Sequence, residues 1–207
     1  MLTPDNVHLQ SNEVLIQMKE KIIEKAIELF EKKGFSTTSI QDIVDELGVT
    51  KGSFYYYFSS KEQLLMDIYN EYITNLLDRQ TKIIANKTLS PKEQLIEIIR
   101  LLINDLIENG PRARIYFREM RHLSEDHINT IKKIRKQFRK NIEMVIRTGE
   151  EQGVFKTQLP ADILAFALLG LTNWSYNWYT PDGEIPPEEL VEIYSELLLT
   201  GLLDKDH

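Results

Sequence analysis

The chain has 207 residues, 42% of them hydrophobic and 28% charged, a composition typical of a globular protein of one or two domains. It contains no cysteine, which excludes a disulfide framework and a thiolate zinc site. No apolar run is long enough to span a membrane and the first residues lack the pattern of a signal peptide, so we expect a cytoplasmic protein with no membrane partner. The formal net charge of −7 argues against a generally basic surface for nucleic acid.

The first twelve residues lack helical periodicity and contain no lysine or arginine. We therefore expect a flexible arm there, and not an arm that contacts the minor groove of DNA. Apolar residues then recur at helical spacing from Glu13 to Lys33, which predicts a first helix that ends at Gly34.

The segment from Ser39 to Lys61 has the pattern of two short helices joined by a tight turn. Ser39 is a favourable N-cap for the first helix, Gly48 can end it in the left-handed conformation, and Thr50 can cap the second. The apolar face of the first helix comprises Ile40, Ile43, Val44 and Leu47. This arrangement predicts a helix-turn-helix, in which the front of the second helix enters a groove of DNA.

The second of these helices begins with small and polar residues and continues with aromatic ones. Phe54 and Phe58 are four residues apart and share one face, so we expect both in the core. Three tyrosines fan across the other faces, where a phenol can donate to a phosphate and its ring can pack against a sugar or a thymine methyl. Gln41, on the first helix, can read adenine through two hydrogen bonds, and Gly52 allows a close approach of the backbone.

The run AIELFEKKGFSTTSIQDIVDELGVTKGSFYYYFSSKEQLL resembles the DNA-binding region of the tetracycline-repressor (TetR) family of bacterial transcriptional regulators, and the likeness covers roughly residues 19–69. The resemblance implies an all-α fold of about nine helices, with a three-helix helix-turn-helix domain at 13–65 and a helical effector-binding and dimerisation domain at 66–207. It also implies a dimer that binds a pseudo-palindromic DNA operator, represses transcription and is released by a small-molecule effector. The DNA-binding residues predicted on this basis are Ser39, Gln41, Thr50, Lys51, Gly52, Ser53, Tyr55, Tyr56, Tyr57 and Lys61.

Acidic and basic residues nearly balance across the predicted DNA-binding region. Operator affinity must therefore come from the local placement of Lys51, Lys61 and helix N-termini. We expect weak non-specific binding and a salt dependence that corresponds to a few phosphates per subunit.

Positive charge is concentrated between Arg112 and Arg147, where eleven basic residues stand against four acidic ones. The basic residues at 132–140 lie opposite an apolar stripe of a predicted helix, which favours a solvated face. In the run RARIYFREMRH, arginines alternate with apolar residues, so they need an anionic partner. That partner is either a protein carboxylate or a phosphate or carboxylate of a ligand, and the sequence leaves both open.

The last two predicted helices are too apolar for lone surface helices. The first opens at Pro160 and the second runs from Glu188 to Leu203. We expect one face on the core and another on a partner subunit, which predicts a homodimer through these two helices. Trp174 and Trp178 are expected on one helix face, in the core or in the wall of a ligand cavity. In the last helix we group Leu190, Ile193, Tyr194, Leu197, Leu198 and Gly201 on one face, and Leu199 and Leu202 on another.

The run NWSYNWYTPDGEIPPEEL and the apolar helix after it resemble a TetR subgroup whose members often respond to acyl-coenzyme A thioesters. The resemblance implies an effector of fatty-acid metabolism whose acyl chain occupies an apolar tunnel and whose phosphates bind arginines. A DNA-binding dimer without an effector, or a regulator that senses an uncharged hydrophobic compound, remain alternatives. The effector-binding residues predicted are Arg114, Phe117, Arg118, Arg121, Trp174, Asn177 and Trp178.

An enzyme with a helical catalytic domain is the competing class of protein. The sequence contains no nucleophile elbow, no phosphate-binding loop and no paired-histidine metal motif. The four histidines lack the spacing of metal ligands. We therefore predict a protein that is not an enzyme and has no catalytic residue, metal site or cofactor.

Overall fold

The computed structural model describes residues 4–157 and 159–200, with side chains described from Leu15 onward. Every regular element in these ranges is helical, which confirms the all-α prediction. No described helix combines the length and the apolar character that a membrane span requires. The nine α-helices and two 3-10 helices of this part of the chain are α1 (Pro4–Lys33), α2 (Ile40–Leu47), α3 (Lys51–Tyr57), α4 (Lys61–Ala85), α5 (Pro91–Glu108), α6 (Gly110–Arg118), a 3-10 helix at Met120–His122, α7 (Glu125–Glu151), α8 (Ala161–Trp174), a 3-10 helix at Ser175–Asn177, and α9 (Pro187–Thr200).

Helix α1 begins earlier than the sequence indicates. Its first residue is Pro4 and not Glu13, so the flexible arm predicted for the first twelve residues is wrong from Pro4 onward, while residues 1–3 lie outside the described part. Proline suits the first turn of a helix because its missing N–H would have no helical partner there. Between Pro4 and Asn12 the helix has no apolar periodicity, and apolar periodicity is the signal from which the sequence predicts a helix. The predicted end of the last helix, at Leu203, also lies outside the described residues.

The chain divides into two compact units. The first contains the described residues up to Tyr69 together with Ile115–Ser124, and the second contains Asn70–Arg114 and the described residues from Glu125 onward. The division falls inside α4 and α6, so each of these helices contributes residues to both units. The sequence patterns did not indicate that the segment Ile115–Ser124 would join the helix-turn-helix.

Capping side chains fix the ends of the two short helices in the first unit. The Ser39 hydroxyl accepts a hydrogen bond from the N–H of Asp42 (3.1 Å), and the Asp42 carboxylate accepts one from the N–H of Ser39 (2.7 Å). Gly48 ends α2 at φ +65°, in the left-handed region that favours glycine. Thr50 caps α3 by accepting from the N–H of Ser53 at 3.2 Å. These contacts confirm the three predicted caps and define the turn between α2 and α3.

The core of the first unit forms where α1 packs against α2 and α2 packs against α3. The rings of Phe30 and Phe35 meet edge to face with centroids 5.1 Å apart, which packs the residue after the α1 turn onto the end of that helix. Side chains with almost no exposed surface are Ile22, Ala26, Phe30, Ile43, Val44, Phe54, Phe58, Leu64, Leu65 and Ile68.

In the second unit, α5 packs against α7, α8 and α9, and α8 packs against both α7 and α9. A buried amide joins α4 to α7 in the same unit: Gln80 donates to the carbonyl of Phe138 (3.0 Å) and accepts from the side chain of Asn141 (2.9 Å). Because both ends of this amide are hydrogen-bonded, its burial costs little. The surrounding core includes Ile98, Ile99, Ile103, Ile131, Ile142, Ala165, Leu168, Leu190 and Val191.

Asp105 is a buried carboxylate of the second unit, with 2% of its surface exposed. Burial raises the pKa of Asp105 above its ordinary value, although hydrogen bonds from Tyr72 and Asn109 and the charge of Arg79 act in the opposite direction. Arg79 lies 3.5 Å from the Asp105 carboxylate and 3.2 Å from that of Glu108. A raised pKa means that protonation of Asp105 favours the folded state.

Replacing Asp105 with Asn is expected to change how stability depends on pH. The stabilisation that accompanies a raised pKa is fully present below the pKa of an unfolded aspartate, about 3.9, and is lost as pH rises through the folded pKa. The free energy of unfolding of the wild type, relative to that of Asp105→Asn, should therefore fall between acidic and neutral pH. Urea unfolding at a series of pH values and one protein concentration measures this difference. Parallel pH profiles for the two proteins would contradict the prediction, and Glu108→Gln, which removes the exposed carboxylate on the same arginine, is the control that should shift the profile far less.

Candidate nucleic-acid interface and effector region

Helix α3 brings most of the predicted DNA-binding residues together on one exposed surface. Phe54 and Phe58 are buried with ring centroids 5.6 Å apart, which confirms the predicted core pair and turns the remaining side chains of α3 outward. Exposed fractions of 54% for Tyr55 and 67% for Tyr56 leave both phenols accessible. The exposed members of the surface are Thr50, Lys51, Gly52, Tyr55 and Tyr56, and its half-buried members are Ser53 and Tyr57.

The chemistry of this surface suits phosphate and base contacts. Lys51 has no ion-pair partner among the described residues, so its ammonium is available to a phosphate. The rings of Tyr56 and Tyr57 pack edge to face with centroids 4.8 Å apart, which restricts their motion. Accessible phenols and an ammonium beside the bare backbone of Gly52 are groups that can meet a DNA backbone and the edges of its bases.

The residues predicted on α2 are engaged within the protein. The Gln41 amide donates to the carboxylate of Asp45 at 2.6 Å. The Ser39 hydroxyl donates to Asp42 at 2.6 Å, besides its role as a cap. The Gln41 amide keeps its carbonyl oxygen and a second N–H for contact with a base, and Ser39 serves first as a structural residue.

The surface beside these two residues is acidic. Asp42, Asp45 and Glu46 line an open groove together with Lys33. Hydrogen bonds from Ser39 lower the pKa of Asp42, which keeps that carboxylate ionised at neutral pH. Because these charges repel phosphate, positive contacts with DNA fall to α3 and not to this groove.

Lys61 is placed inside the first unit and not on the surface of α3. Its ammonium donates to the carbonyls of Phe35 and Thr38, each at 2.6 Å, and lies 4.3 Å from the centroid of the Phe35 ring. Burial lowers the pKa of Lys61, with the nearby charge of Asp42 acting in the opposite direction. The residue thus ties the start of α4 to the connection between α1 and α2, and a phosphate contact would compete with these two carbonyls.

The segment Ile115–Ser124 is held in the first unit at both of its ends. The Tyr69 hydroxyl donates to the carbonyl of Ile115 at 2.8 Å, and the rings of Tyr69 and Tyr116 lie 5.0 Å apart. Burial raises the pKa of Tyr69 above its ordinary value, so the phenol remains a proton donor. The N–H of Ser124 donates to the carboxylate of Glu62 at 2.9 Å, which fixes the other end of the segment on α4.

His122 lies at the middle of this arrangement. Its ring packs against that of Phe35 with centroids 5.1 Å apart, and its Nε2 lies 3.3 Å from both the Ser36 hydroxyl and the Glu119 carboxylate. No sequence pattern indicates this contact, because His122 has no metal-ligand spacing and its partners at Phe35 and Ser36 are distant in the chain.

The predicted effector-binding residues are divided between the two units. Phe117, Arg118 and Arg121 belong to the first unit, and Arg114 belongs to the second with Trp174, Asn177 and Trp178. Arg118 and Arg121 are exposed, and the Arg121 Nε donates to the Nε2 of His122 at 3.2 Å. As a set, these residues therefore do not form an effector site within either unit.

The two tryptophans are exposed, which excludes the alternative that they form core. Trp174 is 66% exposed at the last position of α8, and Trp178 is 47% exposed. Because α8 ends at Trp174 and a 3-10 helix follows, the two side chains do not share the face of one α-helix as predicted. The Asn177 amide donates to the carbonyl of Trp174 at 3.3 Å and stabilises this 3-10 helix.

Trp174 instead continues an exposed apolar stripe on α8. Ile163 and Phe166 are 57% and 55% exposed at helical spacing from Trp174. Gly170 lies on the same stripe, and a Cβ built there would meet no atom within 4 Å. The spacing of these residues is visible in the sequence, but the sequence does not show which apolar face of α8 is buried and which is exposed.

Helix α9 also has an exposed apolar surface, but its faces differ from the predicted grouping. Leu190 and Tyr194 are buried, whereas Ile193 and Leu197 are 43% and 59% exposed. The single face predicted for all four is therefore wrong, because the apolar positions continue around the helix and only part of them meets α5 and α8.

The described residues contain no cluster of three or more His, Cys, Asp or Glu side chains that could hold a metal ion.

Replacing Lys61 with Met is expected to lower the stability of the first unit, because two carbonyls lose their donor while the apolar stem is kept. The expected decrease in the free energy of unfolding is about 1–3 kcal/mol. The matched control is Lys51→Met, which removes an ammonium from the surface of α3 and should leave stability within about 0.5 kcal/mol. Urea unfolding of both variants measures the difference, and equal stability would mean that the Lys61 contacts contribute nothing to folding.

Two family models match this chain. One, described as tetracyclin repressor-like, C-terminal domain, matches residues 88–202, which is more than half of the chain. The other, described as bacterial regulatory proteins, tetR family, matches residues 22–68 and thus includes α2, α3 and the start of α4.

Individual relatives extend along most of the chain. The HTH-type transcriptional repressor KstR2 of Mycobacterium tuberculosis is 28% identical over 184 residues, which cover 88% of this chain and 91% of the relative. The TetR family transcriptional regulator PfmR of Thermus thermophilus is 31% identical, with a TM-score of 0.80 over 88% of this chain and 99% of PfmR. AibR, solved in complex with isovaleryl coenzyme A and operator DNA, is 24% identical, with a TM-score of 0.79 over 89% of this chain and 100% of AibR, and at this identity the likeness shows the fold.

The family models and the geometry of α2 and α3 agree with each other. The matched families consist of regulators and not of enzymes, which confirms that prediction. The chain belongs to the TetR family of bacterial transcriptional regulators.

Proposed function

We propose that the protein is a cytoplasmic repressor that binds a pseudo-palindromic operator as a homodimer and is released by a small-molecule effector. The observation that carries the proposal is the surface of α3, where Lys51, Gly52, Tyr55 and Tyr56 are exposed on a helix whose capped start and buried Phe54 fix its orientation. A helix held in this way can place its N-terminal residues in the major groove. The name of the relative KstR2, a transcriptional repressor, supports repression.

The electrostatics of the first unit support specific binding over general affinity for DNA. Lys51 is the single basic residue of α3, and the groove beside α2 is acidic. We therefore expect a slope of log affinity against log salt that corresponds to a few phosphates per subunit. Most of the discrimination between sequences then falls to the tyrosines and to the backbone of Gly52.

Dimerisation through α8 and α9 is supported by their exposed apolar side chains. Exposed apolar surface of this extent is usually covered by a partner. Gly170 leaves open space on the stripe of α8, which allows a second helix to approach closely. A twofold dimer then presents two copies of α3 to the two halves of an operator.

An acyl-coenzyme A thioester is the effector that we propose. Its phosphates require cations, and Arg118 and Arg121 supply exposed guanidinium groups in the segment Ile115–Ser124. The acyl chain in addition requires an apolar enclosure. AibR, which shares the fold, was solved with isovaleryl coenzyme A and operator DNA, so the fold is compatible with both partners.

Release of DNA depends on a difference in affinity between two states. An effector that weakens operator binding by about 100-fold must bind the DNA-incompetent state more tightly by about 2.7 kcal/mol. The segment Ile115–Ser124 offers a physical connection, because its His122 packs against Phe35 in the unit that contains α3. Arg121 directly precedes His122 in the chain, so an anion bound by Arg121 would act directly beside the His122 ring.

Replacing Lys51 or Tyr55 with Ala is expected to weaken operator binding at least tenfold and to leave a folded dimer, since both side chains are exposed. Mobility shifts with the protein's own upstream DNA measure affinity, and light scattering with circular dichroism tests the dimer and the fold. Lys32→Ala, an exposed lysine at the end of α1, is the control. Unchanged affinity in both variants would remove α3 from the interface, and loss of the fold would make the two residues structural.

Replacing Arg121 with Ala is expected to weaken release by palmitoyl-coenzyme A at least tenfold and to leave operator affinity unchanged without effector. Palmitate and coenzyme A alone should not release the wild type, because neither combines the phosphates with an acyl chain. Arg121→Lys keeps the charge and should retain part of the response. A complex that survives the thioester in the wild type would discard this effector, and it would favour an uncharged hydrophobic compound or a dimer without an effector.

A further inference from the structure

We infer that charge pairing between α7 of one protomer and α9 of its partner fixes the arrangement of the dimer. The inference rests on the proposed dimerisation through α8 and α9 and adds the side chains that select one geometry for it. The basic stripe is defined as Lys132, Lys136, Arg139 and Lys140 of α7, and the acidic stripe as Glu189, Glu192 and Glu196 of α9.

The basic stripe is a concentration of positive charge in an acidic protein. Its four members recur at helical spacing and therefore share one face of α7, opposite the buried Ile131 and Phe138. Lys132 and Lys136 are exposed and have no carboxylate partner among the described residues, while Arg139 and Lys140 both contact Glu143. Like charges four residues apart repel each other, so the stripe is stabilised by an anionic neighbour.

The acidic stripe has the opposite character. Glu189, Glu192 and Glu196 are spaced by three and four residues, are exposed, and have no cationic partner within the described part of the chain. Helix α9 contains no lysine or arginine to balance them. Lys132 and Lys136 of the basic stripe and the three glutamates of the acidic stripe therefore have no oppositely charged partner among the described residues of the protomer.

The two stripes border the same apolar surface from different helices. The Arg139 guanidinium lies 4.6 Å from the ring centroid of Phe166, so the basic stripe adjoins the exposed apolar residues of α8. On α9, Glu189 and Glu196 are four residues before and three after the exposed Ile193. Because α8 packs against both α7 and α9, its exposed apolar residues lie between the helix that carries the basic stripe and the helix that carries the acidic stripe.

A twofold axis converts this sequence of charges into a choice between arrangements. An axis that runs along the apolar surface, between its basic and acidic borders, sets each basic stripe against the partner's acidic stripe, and symmetry makes this contact twice. An axis at right angles to it sets like charges against each other, which is unfavourable. The charges therefore favour one packing of the apolar faces over the other.

Two charge-reversed variants test the inference. Lys132→Glu/Lys136→Glu places carboxylates at the two unpaired positions of the basic stripe and cancels its net positive charge, and Glu189→Lys/Glu196→Lys gives the acidic stripe a net positive charge. Each variant alone is expected to raise the dimer dissociation constant at least tenfold in sedimentation experiments at low salt. An equimolar mixture should recover a one-to-one heterodimer, identified by native mass spectrometry, because its two contacts are again complementary. Recovery on mixing also shows that both variants are folded.

Controls separate this inference from the proposed dimerisation. Lys87→Glu/Lys92→Glu reverses two exposed lysines outside the stripe and should not change the dimer. Wild-type dimerisation of both stripe variants, or no recovery in the mixture, would overturn the charge pairing. If Phe166→Asp is monomeric in that case, dimerisation through α8 stands without the charge pairing, whereas a dimeric Phe166→Asp overturns both. A basic-stripe variant that stays dimeric but loses its response to palmitoyl-coenzyme A would assign the stripe to the anionic ligand and overturn the inference.

Discussion

The ammonium of Lys61 is the contact on which the DNA-reading part of the structure depends. It binds the carbonyls of Phe35 and Thr38, which belong to the connection between α1 and α2. Helix α3 has seven residues and buries only Phe54, so its orientation comes from the surrounding frame and not from its own packing. Phe35 then carries a second contact, because its ring also packs against His122. One aromatic residue thus connects the frame of α3 to the segment Ile115–Ser124.

Because of this connection, the first unit contains both the helix-turn-helix and a segment proposed to bind the effector. Residues from the middle of the chain fold with the helix-turn-helix, and the arginines proposed for effector binding lie in that same segment. A ligand that moves Arg121 would disturb the neighbouring His122 and, through Phe35, the turn that Lys61 holds. The proposed regulation therefore needs no long pathway of side chains, only a segment with two alternative positions.

Local signals in the sequence predict the helices and caps of the helix-turn-helix but not the long-range contacts that hold them. The caps at Ser39, Gly48 and Thr50 and the Phe54–Phe58 pair follow from neighbouring residues, and all were predicted. The partners of Lys61 lie more than 20 residues away, and those of Tyr69 lie 46 residues away, so no local pattern indicates them. The exposure of Trp174 and Ile193 was also beyond the sequence, because an apolar residue follows the same spacing whether it faces a core or a partner subunit.

Amide hydrogen exchange with and without operator DNA measures whether Ile115–Ser124 acts as part of the DNA-reading unit. Operator DNA is expected to slow exchange both in α3 and in Ile115–Ser124, since the two are held by one set of contacts. Protection of α3 with no change in Ile115–Ser124 would mean that the segment is independent of the helix that reads DNA, and would rule out its part in the DNA-reading unit.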